Sequence, residues 1–200
     1  MQRWKNGLFN ITIALNCLLV FLLLFQDRLA VPAWLQVAGR MHPLVLHFPI
    51  VLLVIYAITV IVLPRQINSN EAYKNITGLL LLLTAFTAAA TAVMGLFLSK
   101  EPDYDAEALQ WHKWAGVSIS VFTLLWYAFN KQLQANKIIS ALISLTAFFL
   151  IIFTGHQGAG ITHGQNFLLA PIMPEKKQSV VSPDEAIVFT DMVAPILKAK

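Results

Sequence analysis

The chain has one cysteine, Cys17, and it falls inside an apolar run. A lone thiol excludes a disulfide framework, a thiolate metal cluster and the Cys-x-x-Cys-His attachment of covalent haem within these 200 residues. Charge is scarce as well, at 12% of residues, which leaves little from which to build the surface of a soluble domain. The net charge of +4 is spread over connecting segments, with no soluble basic surface, and so argues against nucleic acid as a partner. Only Met41 and Met94 lie near the histidine-bearing ends of the central segments, so there is no methionine-rich copper track. No nucleophile and base pair stands out, and an enzyme is poorly supported. Asp103, Asp105 and Glu107 read as a solvated acidic loop.

What the chain has in abundance is apolar length. Hydrophobic residues make up 58% of it, and a helix needs about 20 apolar residues, at about 1.5 Å each, to cross about 30 Å of hydrocarbon. Five runs qualify or nearly so: Leu8 to Phe25, Leu44 to Leu63, Ile76 to Leu98, Ala115 to Phe129 and Ile138 to Thr154. The last two are short. Trp111 and Trp114 read as interfacial anchors, so the fourth helix is expected to begin near Ala108 with His112 in its first turns, and the fifth to run past Thr154. The first run has a basic start, Arg3 and Lys5, but it is long for a signal peptide and no clean small-x-small cleavage site follows. It reads as a retained anchor.

Orientation follows from lysine and arginine in the short connections. The N-terminus, the 64–75 loop and the 130–137 loop hold six basic residues against one acid, Glu71, and are expected to be cytoplasmic. Loops 26–43 and 99–113 hold four basic residues against five acids and are expected to face outward, as is the tail. On this count all five histidines, His42, His47, His112, His156 and His163, share the outer face. That makes them candidate ligands for one site, because neutral imidazole binds haem iron, copper and zinc.

Three motifs carry these histidines. Met41-His42-Pro43-Leu44-Val45-Leu46-His47-Phe48-Pro49 opens the second span. Pro43 suits the first helical position and holds His42 extended, while Pro49 frees the carbonyl of Val45 and kinks the axis. His47 lies just inside the hydrocarbon boundary, where an ionisable side chain suggests function; His42 suits an interfacial cap at least as well. The two stand about 140° apart on an ideal helix and do not suit one ion. In Trp111-His112-Lys113-Trp114-Ala115-Gly116, Trp114 and Gly116 offer a slot for a porphyrin edge, or simply an aromatic belt and a packing glycine. Thr154-Gly155-His156-Gln157-Gly158-Ala159-Gly160-Ile161-Thr162-His163-Gly164 is expected to leave the helix as an ordered loop folding over the bundle mouth, its glycines allowing positive φ and close backbone approach. Thr84, Ala88, Ala92 and Gly95 form a small-residue strip on the third span, suited mainly to close helix packing.

These three motifs together resemble the DUF2231 family, a four-helix bacterial membrane domain, over roughly residues 38–170. In the third motif Ala159 and Gly160 stand where the family pattern has Gly followed by a small residue. The resemblance implies a periplasmic c-type cytochrome as partner, since such domains often precede a planctomycete-type cytochrome. The tail agrees with that. Ser182-Pro183-Asp184-Glu185 reads as a helix start with a capping box, and the string Val188 to Lys200 is similar to the leader before the haem-attachment motif of those cytochromes. Covalent haem c is therefore expected only in a domain downstream of these residues.

The reading is an all-α integral membrane helix bundle with five transmembrane helices: an anchor (1–37), a four-helix domain with a histidine-rich periplasmic face (38–170) and a periplasmic tail (171–200). It is placed in the bacterial inner membrane, N-terminus inside, with the lipid bilayer and a c-type cytochrome as partners. The expected function is to hold haem b and transfer electrons. His47 and His112 are the first choice of iron ligands, because both project from helices; His42, His156 and His163 are alternatives or orienting partners, with Trp114 and Gly116 beside the cofactor. The competing readings are an anchor with no cofactor of its own, and a copper or zinc site.

Overall fold

The structure, a computed structural model, describes residues 2–63, 69–101, 104, 106–164, 167–169 and 171–172. Among them regular structure is entirely helical: α1 (Gln2–Leu24), a 3₁₀ turn (Gln26–Arg28), α2 (Ala33–Arg40), α3 (His42–Val45), α4 (His47–Val62), α5 (Glu71–Leu98), α6 (Ala106–Ala128), α7 (Asn130–Gln134) and α8 (Lys137–His163). The chain divides into two compact units, Met1–Gln165 and Asn166–Lys200. In the second, only two turn segments are among the described residues, so the expected helix start at Ser182 and the cytochrome-like string from Val188 lie outside them.

In the first unit α4, α5, α6 and α8 form a four-helix bundle in which α5 packs on α4 and α6, and α8 packs on α6 and α4. Leu53, Tyr56, Ala57, Val60, Leu81, Trp126 and Ala147 fill its centre. α1 lies outside the bundle against α5 and α6, with Leu19 and Leu23 packed on Val93, Leu96 and Val117. It is also hooked on by polar groups: Ser120 Oγ donates to buried Asn16 Oδ1 at 2.9 Å. The first helix is thus a packed part of the unit as well as an apolar run.

The outer surface is apolar, unlike that of a soluble protein. On α8 the large apolar side chains Ile138, Leu142, Leu145, Phe149 and Ile152 point outward, while the small residues Ser140, Ser144 and Ala147 are buried. Such a stripe has no water to avoid if lipid surrounds it, and small buried residues let helix backbones approach. Several buried hydroxyls are satisfied within their own helices, as where Thr84 Oγ1 donates to Leu80 O and Ser144 Oγ to Ser140 O. Four helical stretches are long and apolar enough to cross a membrane: Arg3–Leu24, Ala33–Val62, Glu71–Leu98 and Lys137–His163. The remaining expected span falls in α6, which is 23 residues long but outside that group. His112, Lys113, Ser118, Ser120 and Thr123 dilute its apolar character.

Helix ends follow local chemistry. Asn70 Oδ1 accepts from Ala72 N–H and Asn136 Oδ1 from Ile138 N–H, capping α5 and α8. Gly164, at φ 93°, closes α8 with its N–H on Gly160 O. Two expectations need correction here. His42 is not an extended residue before a helix: it is the first residue of α3, and α2 already precedes it. The helix is interrupted at Leu46, between α3 and α4, and Pro49 has no N–H for Val45 O. The glycine-rich segment after Thr154 is not a loop either, because α8 continues through it to His163. Its glycines supply a thin helix surface rather than turns, and only Gly164 takes a positive φ among the described glycines.

Candidate functional site

The end of the bundle that carries the histidines is tied together by polar contacts. Arg40 Nε meets Glu101 Oε1 at 2.7 Å, and Lys113 Nζ donates to Gln26 Oε1 at 2.7 Å. Both are solvent-accessible contacts, of a kind that adds little stability, but they put α2, the 3₁₀ turn, the end of α5 and the start of α6 at one level. At the opposite end Tyr56 donates to Asn130 Oδ1 at 2.8 Å and accepts from Gln134 Nε2 at 3.0 Å.

Two of the five histidines are drawn together. The rings of His42 and His112 lie with centroids 6.2 Å apart and planes at 90°. Both are part-buried. His42 Nδ1 lies 2.9 Å from Thr91 O, and His112 Nδ1 lies 3.0 Å from Thr154 O. A carbonyl oxygen only accepts, so each Nδ1 carries the proton and each Nε2 keeps its lone pair. That is the arrangement by which a backbone carbonyl orients a metal-binding imidazole and raises its basicity.

Glycines make room for both rings. A Cβ on Gly95 would come within 3.0 Å of His42 Cε1, and one on Gly158 within 3.1 Å of His112 Cε1. A third close approach holds the neighbouring helix: a Cβ on Gly39 would lie 2.7 Å from the backbone nitrogen of Leu98, so α2 can dock on the end of α5 only with glycine there. Thr91 adds a further feature. Its hydroxyl is buried and has no hydrogen-bond partner among the described residues, although its carbonyl holds His42.

The described contacts do not join the other sequence-identified residues to this pair. His47 is exposed, with Nδ1 3.3 Å from Leu44 O, and its ring makes no described contact with His112. His156 and His163 are exposed on the last turns of α8. Trp114 is exposed, and a Cβ at Gly116 would meet nothing within 4 Å. The structure thus joins His112 to His42 rather than to His47. Thr91, Thr154 and Gly158 had no individual role in the sequence reading. Their signal was present as a repeated spacing, Thr-x-x-x-Gly at 91–95 and again at 154–158.

Among the described residues no group of three or more His, Cys, Asp or Glu is placed to hold a metal ion. Residues 40–165 match the family described as "Predicted membrane protein (DUF2231)". No curated protein and no solved structure matches the chain.

Proposed function

We propose a haem-holding, electron-transferring role for this chain, which belongs to the DUF2231 family of predicted membrane proteins. In this reading His42 and His112 would hold a b-type haem at the periplasmic face of a bacterial inner membrane, with a c-type cytochrome as the redox partner. The observation that carries it is the pair of part-buried imidazoles, 6.2 Å apart, each with Nδ1 committed to a backbone carbonyl.

With metal–nitrogen distances of about 2.0–2.1 Å, two imidazoles that share an ion would have ring centres within about 6 Å, close to the separation of this pair. Two protein ligands suit iron that arrives with its own equatorial ligand, whereas a bare zinc site is usually completed by four. The Thr91 hydroxyl, on the residue whose carbonyl holds His42, is buried and unpartnered among the described residues, and a buried polar group of that kind favours a bound partner. When bound, the haem supplies one-electron chemistry, with a potential tuned by its ligands and burial. The chain's part is to hold the rings, keep both Nε2 atoms unprotonated through the Thr91 and Thr154 carbonyls, and exclude water with the surrounding apolar helices.

The finer topology belongs to the same proposal. α6 crosses the membrane with the others, because it packs between α5 and α8. Lys5, near Asn75 at 3.3 Å, shares the opposite end with Lys74 and Lys131, a basic face suited to the cytoplasm. The test is the optical spectrum of the detergent-purified chain, oxidised and dithionite-reduced, with pyridine haemochrome quantitation after expression with haem available. Sharp reduced α and Soret bands at about one haem per chain, as a two-ligand site requires, are expected. A haem-free spectrum from well-folded protein overturns the reading, and elemental analysis then separates a colourless metal site from a plain anchor.

A further inference from the structure

The two histidine seats are equivalent in more than their hydrogen bonds. Each ring stands near the start of the first helix of a hairpin, α3 leading into α4 in one and α6 in the other. Each reaches a threonine carbonyl on the second helix, α5 or α8, and each packs on the glycine one turn beyond that threonine. Both second helices begin at an asparagine cap, Asn70 or Asn136.

The correspondence extends down the bundle. Tyr56 stands as far along the chain from His42 as Trp126 does from His112. Both are fully buried, and their rings meet edge to face at 4.9 Å and 80°. The two histidines meet in the same manner, at 6.2 Å and 90°. Packing follows the same exchange: α4 on α5 matches α6 on α8, and α5 on α6 matches α8 on α4. A two-fold relation between hairpins maps one set of partners onto the other.

We infer that the bundle is two copies of one helical hairpin, and that Gly95 and Gly158 are paired positioning residues that set the two imidazole planes at right angles around the bound group. The inference rests on the haem reading above and adds the relative orientation of the ligands. A methyl group at either glycine would press on one ring at 3.0 to 3.1 Å, tighter than ordinary contact, so that ring must turn or withdraw. It would leave the other ring's seat intact. Perpendicular imidazole planes leave the dxz and dyz orbitals of the iron nearly degenerate, and low-spin ferric haem then shows a highly anisotropic EPR signal. Near-parallel planes give a rhombic one.

The experiment is EPR of the ferric holoprotein, for the unaltered chain, Gly95→Ala, Gly158→Ala and the open-space control Gly116→Ala. The unaltered chain and Gly116→Ala should show the highly anisotropic low-spin signal. Gly95→Ala and Gly158→Ala should each shift it toward the rhombic form and weaken haem retention by about 10-fold to 100-fold, the usual cost of disturbing an orienting group. A rhombic signal from the unaltered chain, with haem lost in His42→Ala and His112→Ala, overturns the right-angle seats while leaving the haem reading intact. So does a signal unmoved by both glycine substitutions. If either variant fails to fold, the unaltered spectrum alone decides the plane angle. Absence of haem from folded, unaltered protein overturns both.

Discussion

His42 hangs from a broken helix and His112 from a continuous one. The short α3 that carries His42 is interrupted at Met41 and again at Leu46, and the proline at 43 denies Gly39 O a helical partner. His112 lies within unbroken α6, two turns from its start. The threonines differ too. Thr154 Oγ1 donates to Leu150 O at 2.7 Å, whereas Thr91 Oγ1 is buried without a partner among the described residues. Similar seats thus have different surroundings: the His112 seat lies between α6 and α8, and the His42 seat lies beside α2, which docks against α5, with an unpartnered buried hydroxyl at Thr91 among the described residues.

The largest way to break this comparison is at Gly39. Gly39→Ala places a methyl group 2.7 Å from the backbone of Leu98, which cannot move aside as a side chain can. It should cost about 1–3 kcal/mol as an overpacked contact, read as a lower unfolding midpoint in detergent. Histidine nitrogen NMR of the same apo variant should show the loss of the Nδ1–H signature at His42 and its retention at His112. Equal disturbance of both rings would mean that the two seats are not independently supported.

A subtler comparison uses the two hydroxyls. Thr91→Val removes an unpaired buried hydroxyl and should stabilise the apo protein by about 1 kcal/mol, whereas Thr154→Val loses a hydrogen bond and should cost up to about 1 kcal/mol. Opposite signs in one chemical denaturation series would bear out the asymmetry; a loss at both would mean that Thr91 has a partner in solution. Smallest of all is Gly116→Ala. Its Cβ meets nothing within 4 Å, so the better helix propensity of alanine should stabilise α6 by less than about 1 kcal/mol.

The membrane character and the shared histidine end were legible in the sequence because both depend on local length and on counting. Ile76 to Leu98, and Leu44 to Leu63 but for its last residue, lie within helical stretches long and apolar enough to cross a membrane, and α6 begins at Ala106 where Ala108 was expected. The choice of ring was harder. Reading Pro43 as a helix start put His42 outside the helix and favoured His47, but α2 extends the helical run upstream and carries His42 inward to Thr91. That contact joins residues 49 apart in sequence, and no periodicity within one helix reports it. The glycines after Thr154 misled for a related reason. Their density has the composition of a loop, yet Gly158 is there because a ring from another helix occupies the space of its side chain. The spacing shared by Thr91–Gly95 and Thr154–Gly158 was the available clue, and its meaning emerges only when the two hairpins are set side by side.

The most direct measurement of the central claim is haem titration into purified His42→Ala, His112→Ala and His47→Ala, each followed by its reduced optical spectrum. Loss of the bis-imidazole spectrum in the first two, with an unaltered spectrum in His47→Ala, is the expected result. Haem binding that survives both of the first two substitutions, or fails only in His47→Ala, would contradict the pairing on which the account stands.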